Sequence, residues 1–359
     1  MSAYSATTQG YQSMETRVTE RAWEFDPPRL GVRAYITCFD GIVWREVLRY
    51  LYQRERFLSA LVRPLIWLFI FAAGFRQTLG VSIIPPYETY VLYEVYVAPG
   101  LLGMILLFNA MQSSLSMVYD RETGAMRTLL VSPFPRSFLL VSKLIGGVAV
   151  AVIQAYVFLG IFYFWEADLP RNAYLLLLAA PALLCLFLMF NGASERFSEA
   201  FVQNCLGATA LIELGVMVAV IYYWQLSAPS MNYVTVLPAL VISGLMLGSL
   251  ALFMSSVIRQ LENFAGVMNF VIFPMFFASS ALYPLWRVKE SSVLLYQLCL
   301  FNPFTHAVEL IRFALYGQVD WTSLAVVLGC TAAFLGAAIY AYNPSKGLIA
   351  RRGGPGAGV

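Results

Sequence analysis

Charge is scarce along these 359 residues: Asp, Glu, Lys and Arg together make up 12%, against 60% for hydrophobic side chains. A soluble globule of this size needs more polar side chains to cover itself, so the composition excludes one and indicates a polytopic membrane protein. Histidine occurs once, at position 306, and the 5 cysteines (Cys38, Cys185, Cys205, Cys299 and Cys330) show no CxxC or other ligand spacing. Nothing in the sequence therefore suggests a metal centre, and the cysteines read as small buried hydrophobes. The net charge of +3 is small and dispersed, which excludes nucleic acid as a partner. No GxxxxGK(S/T) occurs, so the chain has no P-loop to cradle ATP phosphates. A short basic start leading into an apolar core is missing too, and no cleavable signal peptide is expected.

What the chain has in quantity is apolar runs. Residues 1–33 are polar and broken by Asp26-Pro27-Pro28, and read as a cytoplasmic tail. Over 34–56, Ile36, Phe39, Val43, Val47 and Tyr50 recur at helical spacing beside Arg45, Arg49, Arg54 and Arg56. This suits an amphipathic helix in the inner headgroup region, or else a plain soluble helix ahead of the first span. Apolar runs then follow near 57–75, 91–113, 138–165, 173–190, 206–224, 234–258, 264–283 and 321–342. The expected fold class is all-α, a membrane helix bundle of about eight transmembrane helices at roughly 20 residues each. The domain they form spans 57–342, and 343–359 is a second cytoplasmic tail. Arg121, Arg127, Arg136, Lys143, Arg196, Arg259, Lys346, Arg351 and Arg352 fall on the side of both termini, which the positive-inside rule makes cytoplasmic.

Between two of these runs lies a charged interval, 117–138, MVYDRETGAMRTLLVSPFPRSF. Gly124 permits a tight bend, an amphipathic turn begins at Arg127, and Pro133 and Pro135 end it. Held at each end by a hydrophobic span, it reads as an element that transmits a push rather than a catalytic site. At the opposite face, Tyr87, Tyr90, Tyr93 and Tyr96 repeat every third residue. They either anchor a helix at the water–lipid boundary or line a cargo path. Glu213 stands alone in ATALIELGVMVAV, where an ionised group is costly, and reads as a helix–helix hydrogen bond or a cargo contact. Residues 282–320 are too broken for a simple span and read as an outer re-entrant segment ending in a helix over 305–316, capped by Thr305 or Asn302. His306, Glu309 and Arg312 would share one side of that helix, as a surface ion pair or as the latch of an external gate.

Arg121-Glu122-Thr123-Gly124, the pair Leu129-Leu130, Ser132-Pro133, then Arg136 and Lys143, form an order that resembles the cytoplasmic coupling segment of ABC-2 type permeases. FPMFFASSALYPLW and LFNPFTHAVELIRFALYG, within 273–317, are similar to the same family's outer-face region. The resemblance implies the membrane subunit of an ABC exporter in a cell (inner or plasma) membrane, moving an amphiphilic, glycan, lipid or drug-like cargo outward. It implies an ABC ATPase subunit in trans that carries ATP and Mg, no cofactor or enzyme activity in this chain, and a second permease copy or related permease across the path. Asp120, Arg121, Glu122, Gly124, Arg127, Leu129, Leu130, Ser132 and Pro133 would then couple to the ATPase, Glu122 and Arg127 as charged contacts and Gly124 as the bend. Family members usually have six spans, so the pair within 173–226 reads as an insertion. The other readings are an ion-gradient-driven secondary transporter and a non-transporting membrane scaffold. Little intramembrane charge and no clear inverted repeat stand against the first.

Overall fold

The computed structural model describes residues 31–52, 62–70, 74, 85–87, 91–122, 133–167, 169–170, 172–173, 175–177, 179, 199–226, 231–258 and 260–341. Among them every regular element is a helix: α1 (Val32–Tyr52), α2 (Tyr93–Glu122), α3 (Arg136–Glu166), α4 (Glu199–Tyr223), α5 (Val236–Val257), α6 (Leu261–Phe277), α7 (Leu285–Ser291), α8 (Val293–Phe301), α9 (Pro303–Leu315) and α10 (Trp321–Ala341). Four helices, α2, α3, α5 and α10, are long and apolar enough to cross a membrane, and Leu211–Tyr223 and α6 are shorter apolar helices. Of the remaining expected spans, 57–75 is described as helix over 62–70, and 173–190 lies largely outside the described residues.

The core is built around α2. Val97, Ala98, Leu101, Leu102, Met104, Leu106 and Leu107 are fully buried, so over 97–107 this helix is apolar on all sides because protein surrounds it. It packs against α3, α5, α6 and α9. Small residues set the distances. A Cβ on Gly100 would lie 2.6 Å from the Ala281 carbonyl oxygen, and one on Gly103 would lie 3.1 Å from Phe304 and Val308 of α9. On α5, Gly244 and Gly248 receive Val148 and Leu144 of α3, a close helix approach of the kind small residues permit in membranes. Helix α10 rests on α5 and α9 at the edge. Its Tyr340, with Phe270 of α6 and Phe301 of α8, points outward. Exposed aromatic surface of this kind suits a bilayer or a packed partner rather than water.

Two boundaries differ from the sequence expectation. The second span continues past 113 to Glu122, so 117–122 is its last helical stretch and not part of a separate element. Its serines do not break it; Ser116 Oγ donates to Ser113 O (2.7 Å), satisfying the hydroxyl within the helix. The helix α1 spans Val32–Tyr52, packing on α3, and its inward side follows most of the expected apolar stripe. Tyr50 is buried and Phe39, Val43 and Val47 are half-buried, while Ile36 faces out and Glu46 is buried beside them. Gly146 of α3 explains the Glu46 position, because a Cβ there would sit 3.2 Å from the Glu46 Cβ. Nearby, the Tyr35 ring meets Phe134 and Phe138 edge-on, each at 5.1 Å.

Residues 285–315, expected as an outer re-entrant segment, fold as three short helices, α7 to α9. Asn302 rather than Thr305 caps α9: its side chain accepts from Phe304 N (3.0 Å), and Pro303 takes the first helical position, where a missing N–H costs nothing. The same side chain donates to Met275 O and Ala278 O, both at 2.7 Å, tying α9 to the end of α6. Asn302→Ala removes all three bonds and is expected to cost about 2–3 kcal/mol. Asn302→Asp, keeping the cap but losing both donations, should fall between, as thermal unfolding in detergent would show.

Candidate functional site

The inner half of α2 carries Asn109, Gln112, Ser113, Ser116 and Asp120, one polar stripe at helical spacing within an apolar span. Facing it are Glu46, Arg49 and Tyr50 of α1 and Gly147 and Val150 of α3, which with Asn109, Gln112, Ser113 and Ser116 line a cavity of about 30 Å³. That is room for about two waters. Deeper in, Asn109 Nδ2 donates to Gln154 Oε1 of α3 and to Ile105 O (3.0 Å). At the Glu122 end of the stripe, Lys143 Nζ meets Asp120 Oδ2 at 3.5 Å. Lys143 is 7% exposed, and the Glu46 carboxylate, 8% exposed, also acts on it electrostatically. A buried ammonium is stable only when paired in this way. The pair joins the last turn of α2 to the first turns of α3.

Glu122, one turn end further, is exposed, and its Oε1 accepts a 2.8 Å hydrogen bond from Leu261 N at the start of α6. Pro133 and Pro135 are exposed ahead of α3, with Pro135 at its N-cap position. Gly124, Arg127, Leu129, Leu130 and Ser132, together with the Arg121 side chain, lie outside the described residues.

A second cluster forms at the far end of α2. Tyr93 Oη donates to Leu282 O (2.7 Å) and Tyr96 Oη to Ser280 O (3.1 Å). Arg312 of α9 also donates to Ser280 O, at 2.8 Å, with its guanidinium carbon 4.2 Å above the Tyr96 ring, and pairs with Glu309. Tyr87 packs between Tyr96 (6.1 Å) and Tyr316 (5.1 Å). The expectation of a surface ion pair is corrected here: Arg312 is 3% exposed, because the small residues 278–281 let α9 pack closely enough to enclose it. Tyr87, Tyr93 and Tyr96 are likewise interior rather than at a lipid boundary, since their hydroxyls or rings find partners inside; Tyr90 lies outside the described residues. His306 stands apart, its ring nitrogens 3.1 Å from Leu300 O and 3.3 Å from Ser323 Oγ of α10. No group of three or more His, Cys, Asp or Glu that could hold a metal exists among the described residues.

The sequence profile of the ABC-2 type transporter family matches residues 38–198 and 192–316, a stretch that runs from α1 through α9. The chain belongs to the ABC-2 type transporter family. The permease is also similar to a Porphyra purpurea protein named provisionally as transport permease ycf38, at 22% identity over 301 residues, covering 83% of this chain and 80% of the other. A Cyanophora paradoxa protein of the same name is 31% identical over 84 residues, 23% of this chain and 27% of that one. It is a membrane transport permease, and permeases of this family normally work with an ABC ATPase.

Within this permease the two ends of α2 gather the functional candidates. The structure brings Asp120 and Glu122 to one end and Tyr87, Tyr93, Tyr96, Glu309 and Arg312 to the other. It does not bring Glu213 to either. That side chain is on α4, which packs through Val220 against Phe164, Leu169, Ala173 and Leu177 at the end of α3. Its expected helix–helix hydrogen bond is not formed among the described residues, where Glu213 Oε2 is buried without a partner. Sequence reasoning missed Glu46, Asn109 and Gln154. The signal for Asn109 was present, because polar residues at positions 109, 112, 113, 116 and 120 share one face of an otherwise apolar run.

Proposed function

We propose that this permease is the membrane-spanning subunit of an ATP-driven exporter, with ATP and Mg held by a separate ABC ATPase docked beneath 120–135. The observation that carries it is the Asp120–Lys143 pair, 3.5 Å apart. It supports the reading because α2 and α3 enter the intervening segment already joined, so a force applied there displaces both helices together. Arg121, Gly124, Arg127, Leu129, Leu130, Ser132 and Pro133 supply the docking surface, the Arg side chains as charged contacts and Gly124 as the bend. A second permease copy, or a related permease, completes the path, and Arg312 with Tyr96, Tyr93 and Glu309 closes its outer end. Both termini are cytoplasmic in a cell membrane, as the Lys and Arg distribution supports. The cargo is amphiphilic, in keeping with a path framed by apolar helices and tyrosines, and the pair within 173–226 is an addition to the six-span plan.

The test is co-expression with candidate ABC ATPase subunits and purification through a tag on this chain. Co-purifying, vanadate-sensitive ATP hydrolysis is expected, and Arg127→Ala with Leu130→Ala should release the ATPase by about tenfold or more in affinity, the loss of one charged and one apolar contact. If no nucleotide-binding partner associates under gentle extraction, the exporter assignment fails and an ion-driven carrier takes its place.

A further inference from the structure

Leu261, Glu262 and Asn263 begin α6 with backbone N–H groups that have no intrahelical acceptor. The residue placed to cap them, Gln260, makes no side-chain cap bond; its Oε1 takes Asn263 Nδ2 at 2.7 Å instead. The acceptor comes from Glu122, 139 residues earlier and on the last turn of α2. A carboxylate at that position satisfies Leu261 N and complements the positive end of the helix. The opposite end of α6 is held as firmly. Ala278 O takes Asn302, and Ser280 O takes both Arg312 and Tyr96. Helix α6 therefore begins on Glu122 and ends on the cluster that closes the outer face, with its flank against α2.

We propose that Glu122 is a positioning residue that links the coupling segment to α6, so that displacement of the segment is carried along α6 to the carbonyls of Ala278 and Ser280 and loosens their hold on Asn302 and Arg312. This rests on the exporter reading above and assigns Glu122 a role inside the chain rather than at the ATPase. A rigid helix transmits a push along its axis only if the push reaches its end, and the 2.8 Å bond reaches that end from the last turn of α2. The role differs from capping alone. A cap could be supplied locally, by Ser at 260, without attaching α6 to α2.

That difference gives the experiment. Hydrogen exchange is measured on the full chain alone, and on its complex with the ATPase, nucleotide-free and trapped with ATP and vanadate. Glu122→Ala is expected to raise exchange of residues 261–264 by about fivefold to tenfold, the size of losing a charged cap. Adding Gln260→Ser restores that protection locally. The nucleotide-dependent change at 278–283, present in wild type and in Glu122→Gln, which keeps an acceptor oxygen, is lost in Glu122→Ala and stays lost in the Glu122→Ala, Gln260→Ser chain. Recovery of the outer response in the doubly substituted chain overturns the link and leaves a simple cap. Release of the ATPase by Glu122→Ala overturns it in favour of a direct partner contact. Unchanged exchange at 261–264 overturns it outright. Absence of any ATPase on the wild-type chain instead defeats the exporter reading, and exchange at 261–264 then decides by itself whether Glu122 holds α6.

Discussion

Arg312→Ala is expected to cost about 3–5 kcal/mol, the penalty for breaking a buried ion pair from one side. Glu309 would keep its charge at a half-enclosed site with no cation beside it, Ser280 O would lose one of its two donors, and the Tyr96 ring would lose the cation lying over its face. These losses fall on the contacts that hold α9 to α2 and to the end of α6, so this end of the bundle should open before the rest unfolds. Arg312→Lys should recover only part of the loss. A single ammonium cannot bond Glu309 and Ser280 O at once while lying flat over an aromatic ring. Thermal unfolding of the three proteins in detergent measures the order, and equal midpoints for wild type and Arg312→Ala would remove the cluster's structural role.

A single methyl group at Gly100 should be nearly as damaging. The added Cβ would stand 2.6 Å from Ala281 O and 2.8 Å from Ala281 Cα, and backbone cannot step aside by changing a rotamer. Relief requires separating α2 from the 279–282 turn, which also stretches the Tyr93 and Tyr96 hydrogen bonds. Gly100→Ala is therefore expected to cost about 3 kcal/mol, the upper part of the overpacking range. Gly248→Ala is the control. Its nearest neighbour is closer still, 2.4 Å, but it is Leu144 Cδ1, the end of a flexible side chain. A rotamer change relieves that clash for about 1 kcal/mol. Folded yield and unfolding midpoint should rank Gly248→Ala well above Gly100→Ala, and the reverse order would mean that the α2 approach to Ala281 is not tight.

Most of the architecture is legible in apolar run length, because a membrane helix must satisfy its own backbone and leaves a long uncharged stretch as its trace. The misplaced end of α2 shows where this stops working. Ser113, Ser114 and Ser116 lower hydropathy and suggest an exit from the membrane, yet Ser113 and Ser116 face a protein cavity, and Ser116 bonds back to its own helix. Arg312 shows a second limit. Spacing puts Glu309 and Arg312 on one side of α9, but whether that side meets water depends on residues 30 positions away becoming small enough to approach, which no local pattern reports. The tyrosines fail for the same reason: a ring with a polar tip fits a lipid boundary and an interior carbonyl equally well. In sequence Glu122 reads as a charged contact to a partner, while its acceptor role depends on Leu261, far off in the chain.

The burial of α2 has a consequence for how the protein is made. A ribosome delivers α2 early, and of its four packed neighbours only α3 follows directly; α5, α6 and α9 emerge after Val236. At roughly 5–20 residues per second, α2 waits on the order of ten seconds in the bilayer with its main packing face open. During that interval its interior side chains touch lipid, and Asn109 depends on Gln154 of α3 for its partner outside the helix. Synthesis of the amino-terminal third alone should thus yield an α2 that is inserted but unguarded, a natural client for membrane chaperones and quality-control proteases until the fifth helix arrives.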